Sequence, residues 1–384
     1  MGAEARIVKL SWCFVGGGAR ALAGLPDGGS ERQVALLASE LARRGHPVNI
    51  LVPGPAEEGN VSGVGIVRGW EAGSAWPRGL RFWAGRLPSL KRALRKLEPG
   101  VVYTRGFSVF APSVAGAARR IGAPYLAALA CDDDLRTSPS GGPSGAVGRA
   151  GYGRIARDAF VRLALRRASM VLSQHSGQLA ECRRIGLVSE IVRNAFVPFD
   201  KPAGRRETFD ACWIGHVSAF KGFDRLVELL SRAADSRLRV AVAGALQDGS
   251  CRGMLARARE AGLIEYLGEI PHAEALSVMA SSKVLLNTSP AEGFSNAFLE
   301  AWYLGRPVLS LDSDPDGLLS KAEPLGICAR GGINAMVDGL RRLLSDEDLR
   351  RGMGAAGRRR VESHHLAGPV VDSLLEAAGR ASGG

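Results

Sequence analysis

The sequence has no Cys-x-x-Cys pair. Its six cysteines, Cys13, Cys131, Cys182, Cys212, Cys251 and Cys328, stand singly along the chain. That spacing argues against a zinc ribbon or a dithiol redox motif, and it suits reduced, mostly buried thiols and a cytoplasmic location. No apolar run approaches the ~20 residues that a membrane-spanning helix needs, so any membrane contact is expected to be peripheral. The opening MGAEARIVKLSWCFV lacks a basic region ahead of its apolar run and lacks a small-residue cleavage pattern, so no signal peptide is expected. The six histidines show no metal-ligand spacing. A G-x-S-x-G elbow and a Walker motif are both missing. So are an RNP pattern, zinc-finger spacing and a basic coiled-coil region, which leaves nucleic acid without support as a partner. Aromatic residues make up only 6% of the chain.

What is present points to an α/β protein. Apolar residues reach 46% of 384, enough for two domains with ample cores and too many for a disordered chain. Fifty glycines suit many tight strand-to-helix turns. A net charge of +12 favours an anionic partner: a nucleotide, an acidic glycan or an anionic lipid surface.

Apolar strand-like runs alternate with helical patterns along the first half. The strands are expected at 7–15, 48–52, 101–104, 125–130, 171–173 and 191–193, with helices at 31–44 and 109–121 between them. Ser30-x-x-Gln33 reads as a capping box opening the first of these helices. Residues 196–208, FVPFDKPAGRRET, are rich in proline, glycine and charge, and form the linker candidate. A second series then begins, with strands expected at 211–215, 240–244, 266–267, 284–286 and 308–311. Strands alternating with helices imply parallel βαβ units and doubly wound sheets. The expected domains are therefore 1–195, a linker at 196–208, 209–365, and a helical tail at 366–384. Ligands of open α/β sheets bind beyond the carboxyl ends of the strands, so two such halves would face a cleft.

The most informative stretch is 287–305, NTSPAEGFSNAFLEAWYLG. Glu292 lies in a loop after a buried strand. Ser295 or Asn296 can cap the following helix, and Glu300 sits about one turn inside it. Between the two carboxylates, free N–H groups of a helix start can receive an anion. Paired carboxylates suit the vicinal hydroxyls of sugars, and the N–H groups suit a phosphate. One segment is thus equipped for both parts of a sugar nucleotide.

This stretch resembles the Glu-x7-Glu signature of retaining glycosyltransferases of the GT-B fold, family four. Two further segments are similar to that family, in the expected order: WIGHVSAFKGFDRLVELL at 213–230, and DGGSERQVALLASELARRGHPVNILVP at 27–53. The resemblance implies a GT-B fold of two Rossmann-like doubly wound domains, the first binding the acceptor and the second the nucleotide sugar. It implies a donor carried on a nucleoside diphosphate, UDP by preference, and a hydroxyl acceptor such as a glycan, a glycolipid or a natural product. Lys221 is assigned the diphosphate, Glu292 the donor-sugar hydroxyls and Glu300 the ribose. Gly293, Phe294, Ser295 and Asn296 offer backbone N–H groups, and Gly28 and Gly29 let the chain approach the donor. His216 stands where the family usually has arginine, so it brings less positive charge, and Arg20 or Arg105 is an alternative source of a cation. A tail of this kind often crosses back onto the first domain.

Three other features bear on function. Asp132-Asp133-Asp134 resembles the DxD metal motif of the other large glycosyltransferase fold. The family resemblance instead implies a reaction without metal or other cofactor. Where many members carry a histidine, this chain has Cys131 and Asp132, and Asp132 or Asp133 is expected to touch the acceptor hydroxyl or the donor sugar. The basic stretch 76–96, WPRGLRFWAGRLPSLKRALRK, has a leucine stripe interrupted by Pro88. It reads as a helix packed on the sheet or, alternatively, as a peripheral contact with anionic lipid at the inner membrane face. Gly16–Gly18 carries only part of a dinucleotide fingerprint, which disfavours a nicotinamide enzyme. A sugar-nucleotide epimerase or hydrolase on the same fold, or a nucleotide-sugar binding protein without turnover, remain the alternative readings.

Overall fold

The computed structural model describes residues 10–25, 28–54, 58–70, 85–107, 111–135, 159–200, 207–233 and 237–383. Outside them fall 7–9 of the first expected strand, 76–84 of the basic stretch, 109–110 of the second expected helix and 201–206 of the linker candidate. The chain divides into two compact units, one ending at Ala195 and resuming at Ala367, the other spanning Phe196–Leu366.

The first unit runs β1 (Trp12–Val15), α1 (Ala19–Leu22), α2 (Gly29–Arg43), β2 (Val48–Pro53), β3 (Gly59–Val61), β4 (Val64–Trp70), α3 (Leu87–Leu97), β5 (Val101–Arg105), α4 (Ala111–Arg120), β6 (Tyr125–Ala128), β7 (Met170–Ser173), α5 (Ser176–Arg184) and β8 (Ser189–Ile191). Its sheet has the order β3-β4-β2-β1-β5-β6-β7-β8, parallel except for the β3–β4 hairpin. Alternate residues of β1 serve opposite faces. Trp12 and Phe14 pack with Leu37, Ala38 and Leu41 of α2, whereas Cys13 and Val15 pack with Leu90 and Leu94 of α3 and Val114 of α4.

The second unit runs β9 (Phe209–Ile214), α6 (Phe223–Arg232), β10 (Val240–Ala243), α7 (Arg252–Glu260), β11 (Glu265–Gly268), α8 (His272–Ala280), β12 (Ser282–Asn287), α9 (Asn296–Tyr303), β13 (Val308–Ser310), β14 (Gly326–Cys328), α10 (Ile333–Ser345) and α11 (Glu347–His364). Its six strands are all parallel, in the order β11-β10-β9-β12-β13-β14. That is the doubly wound order, and its reversal point lies between β9 and β12. The Phe196 ring packs tilted and the Phe199 ring edge-on against Tyr303 within this unit, with ring centroids 4.9 and 5.1 Å from it.

The last helix, α12 (Ala367–Ser382), belongs to the first unit. Val371, Leu374 and Ala377 complete the core under α2, and Arg44 reaches Gly368 O at 2.7 Å and the Asp372 carboxylate.

One expectation needs correction. The Ser30–Gln33 capping box does not form. The cap position is Gly28, and its residue makes no side-chain capping bond. Gln33 is buried, and its amide pairs with Ala195 in both directions, Nε2 to O at 2.8 Å and N to Oε1 at 2.7 Å. A buried backbone segment with unpaired groups outcompetes an exposed helix end for that amide. The residues on the N-terminal side of Pro88 are described only from 85, and the α-helix itself starts at Leu87. Pro88 sits in the first turn of α3, where its missing N–H costs nothing. Leu87, Leu90 and Leu94 are buried against the sheet, so the described part of the basic stretch has no apolar stripe left for lipid.

Candidate active site

β9 and β12 are neighbours at the reversal point of the second sheet, so the loops leaving their carboxyl ends lie side by side. The loop after β9 carries His216 and Lys221. The loop after β12 carries Glu292 to Ser295 and leads into α9.

The first loop is shaped by short-range bonds. Ser218 caps a 3₁₀ turn, its hydroxyl accepting from Lys221 N at 3.3 Å. Gly222 then turns the chain into α6 with φ +68. A Cβ there would lie 2.0 Å from the Thr288 carbonyl oxygen, so glycine is required on two grounds: conformation and closeness. Thr288 is fully buried and locks the two loops together. Its hydroxyl donates to Gly222 O at 2.8 Å and accepts from Trp213 Nε1 at 3.0 Å. Gly222→Ala is therefore expected to destabilise the second unit by more than about 1 kcal/mol and to displace Lys221. A melting curve matching wild type would contradict that.

The result is a direct contact across the crevice. Lys221 Nζ donates to Glu292 Oε1 at 2.7 Å, with the lysine side chain 29% and the carboxylate 12% exposed. A partly buried pair of this kind keeps both charges in place while leaving the second carboxylate oxygen to other donors. His216 is held by its backbone neighbours. Gly215 N donates to Ala243 O at 2.9 Å and Val217 N to Ala245 O at 2.9 Å. Gly244 packs so tightly there that a Cβ would meet Gly215 O at 1.9 Å. The His216 Nδ1 is buried and has no hydrogen-bond partner among the described residues.

Ser295 occupies the cap position of α9 with extended backbone, but its hydroxyl makes no capping bond. Asn296 is the first helical residue. Gly293 is buried and is not among the positive-φ glycines. The Phe294 ring faces the core against His365 and Trp302, at centroid distances of 4.8 and 6.0 Å. With its ring turned to the core, Phe294 offers a ligand only its backbone. Glu300 is buried, and its Oε1 accepts from His272 Nε2 at 3.0 Å. The sequence reading passed over His272, the first residue of α8. Only its place after the β11 strand marks it, and many helix starts look alike.

The remaining candidates belong to the first unit. Gly28 and Gly29 open α2. What glycine permits at 28 is the approach of Glu31, because a Cβ would lie 2.3 Å from Glu31 Oε2. Gly17 is matched to the same side chain, with a Cβ 2.3 Å from Glu31 Cγ. Arg105 at the end of β5 donates to Asn194 Oδ1 at 2.6 Å.

Asp132, Asp133 and Asp134 form a 3₁₀ turn after β6. Their carboxylates serve separate partners. Asp134 Oδ2 accepts from Ala130 N at 2.7 Å and Cys131 N at 3.2 Å. Asp132 Oδ1 accepts from Gln178 Nε2 at 2.9 Å and meets His175 Nε2 at 2.9 Å. The Cys131 thiol is pushed up to about 12, by burial first and then by Asp134 and Asp133, which keeps it protonated and unreactive. Among the described residues no group of three His, Cys, Asp or Glu side chains is placed to hold a metal ion. No described helix is long and apolar enough to cross a membrane.

Two family models match the chain: a glycosyl transferase 4-like domain over residues 28–199, and a glycosyl transferase-like domain over 224–376. Between them they account for most of its length. No curated protein matches. Among solved structures, the chain is similar to HepE of Anabaena in complex with UDP-glucose (16% identity, 96% of this chain and 99% of that one, TM-score 0.72). It is similar to sucrose-phosphate synthase of Thermosynechococcus elongatus at 16% identity, over 95% and 98% of the two chains, with TM-score 0.72. A glycosyltransferase of Rickettsia africae matches at 14% identity over 97% and 98%, with TM-score 0.64. These likenesses establish the GT-B architecture of two doubly wound domains.

Proposed function

The chain belongs to the glycosyl transferase family that these two models describe, and from that premise we propose that it moves a glycosyl group from a UDP-linked donor to an acceptor hydroxyl with retention of configuration. The observation that carries this reading is the 2.7 Å contact of Lys221 with Glu292 at the reversal point of the second sheet. It puts a cation and a carboxylate where an α/β sheet receives its ligand.

In this reading Lys221 takes the diphosphate, helped by the N–H groups of 293–296. Glu292 takes hydroxyls of the donor sugar through its free oxygen. Glu300, oriented by His272, takes the ribose. His216 stands over the phosphates as a hydrogen-bond donor in place of a second fixed cation. The bond from the anomeric carbon to the diphosphate breaks and the bond to the acceptor oxygen forms on the same face. The acceptor's proton passes to the departing phosphate oxygen. The protein supplies charge stabilisation for the leaving group, the role that fixed donors fill best in a partly dry site. Asp132 is assigned to the acceptor hydroxyl. The separate engagement of the Asp132 and Asp134 carboxylates supports a reaction without a metal at that turn.

HepE is the relative whose complex contains UDP-glucose, which favours uridine for this chain. The test is a thermal-shift comparison of UDP, GDP, ADP and dTDP sugars. A UDP sugar at a hundredfold excess over its Kd should stabilise by about 2.7 kcal/mol. No shift with any nucleotide sugar would remove the reading, and a shift confined to another base would correct its donor.

A further inference from the structure

Asp132 lies in the first unit, just past β6, and two side chains from the start of α5, which follows the neighbouring strand β7, converge on it. We propose that His175 and Gln178 are positioning residues that hold one oxygen of Asp132 so that the other meets the acceptor hydroxyl. This deepens the assignment of Asp132 made above and rests on it.

The hydrogen bonds determine the orientation of each group. Gln174 N donates to Gln178 Oε1 at 2.8 Å, so the Gln178 amide nitrogen is the end that faces Asp132. Gln178 N approaches His175 Nδ1 at 3.4 Å, which makes Nδ1 the acceptor that caps α5. With Nδ1 accepting, Nε2 carries the proton and donates to Asp132 Oδ1. Both donors are nearly inaccessible, with His175 at 7% and Gln178 at 2% exposure. Both act on Oδ1. Asp132 Oδ2 has no partner among the described residues, and the side chain as a whole is 39% exposed.

Asp134 shows what a purely structural carboxylate looks like in the same turn. It is buried, and Oδ2 closes the turn onto the backbone N–H groups of Ala130 and Cys131. Asp132 closes nothing on its own segment. Two buried polar side chains with every hydrogen-bonding end committed present it outward at a fixed angle. The platform beneath them is stitched as well, since Gln174 Nε2 donates to Leu129 O at 3.0 Å and so ties β7 to the end of β6. Rigid support of this kind gives a reacting group a defined direction, and a displacement of about 1 Å can lower a rate on the order of a hundredfold.

The two nitrogens of His175 allow the capping role and the positioning role to be separated. His175→Asn keeps an acceptor near Nδ1 and removes the donor. His175→Gln keeps a donor near Nε2 and removes the cap. UDP release from a UDP sugar is followed in water alone and with a panel of alkyl glycosides, alongside donor affinity and melting temperature. His175→Asn is expected to melt as wild type, to bind donor as wild type, and to lose about ten- to a hundredfold in kcat. His175→Gln is expected to recover most of that loss, although it melts lower. In a background of Asp132→Asn, His175→Asn should cost almost nothing further, because positioning requires the group positioned.

Wild-type kcat in His175→Asn would overturn the proposal. So would losses in both variants that follow melting temperature, or losses that add fully to that of Asp132→Asn. Wild-type protein that releases no UDP from any donor would instead refute the transferase assignment of Asp132, so the two failures are distinguishable.

Discussion

Lys221→Ala is expected to lower kcat by about 10²–10³, the usual scale for removing one fixed donor from a developing charge. The lysine lies in the loop after β9 at the reversal point, and its 2.7 Å contact with Glu292 joins it to the loop after β12. Its removal acts twice. The departing diphosphate loses a positive partner, and the Glu292 carboxylate, 12% exposed, loses its counter-charge and repels the same phosphates. Donor affinity should fall together with kcat. Lys221→Arg should recover only part of the rate, because a planar guanidinium does not reproduce a compact ammonium in a tight turn. The fold should survive, since the turn itself is held by Ser218, Gly222 and Thr288. Steady-state rates and donor titration on a variant with unchanged melting temperature decide the matter. A rate within about threefold of wild type would rule out the diphosphate role that rests on this scale.

Asp132→Asn should reduce turnover by more than about tenfold, at the lower edge of what a group in contact with a moving proton contributes. The substitution preserves shape. The amide oxygen can take the place of Oδ1 and keep accepting from His175 and Gln178, which are 2.9 Å away in both cases. The amide NH₂ then replaces Oδ2, and an acceptor becomes a donor toward the hydroxyl that must release a proton. Donor affinity should stay near wild type. Unaltered kinetics with every acceptor would exclude the role.

Much of the architecture was legible because βαβ units write themselves into local patterns. The strand runs at 48–52, 101–104 and 240–244 correspond to β2, β5 and β10, and the helix expected at 31–44 corresponds to α2. The hairpin β3–β4 and strand β14 were not read. Gly59, Gly63, Gly65 and Gly69 dilute the alternation in the first case, and three residues are too few to show a period in the second. The capping-box error has the same root. Ser30 and Gln33 fit a local motif, and only the arrival of Ala195, far along the chain, gave Gln33 a better partner.

The one-dimensional order of residues determined the alternating elements, the glycine turns, and the placing of Lys221 and the 292–300 segment just past buried strands. These are local properties, since a strand or helix records in its own side chains which face is buried. Only the tertiary structure decided the partnerships: Lys221 with Glu292, His272 with Glu300, and Asp132 with His175 and Gln178. Those depend on which strands are neighbours, β9 with β12 and β6 with β7. Neighbourhood is set by how a whole sheet is wound and covered, and no short stretch of sequence carries that information.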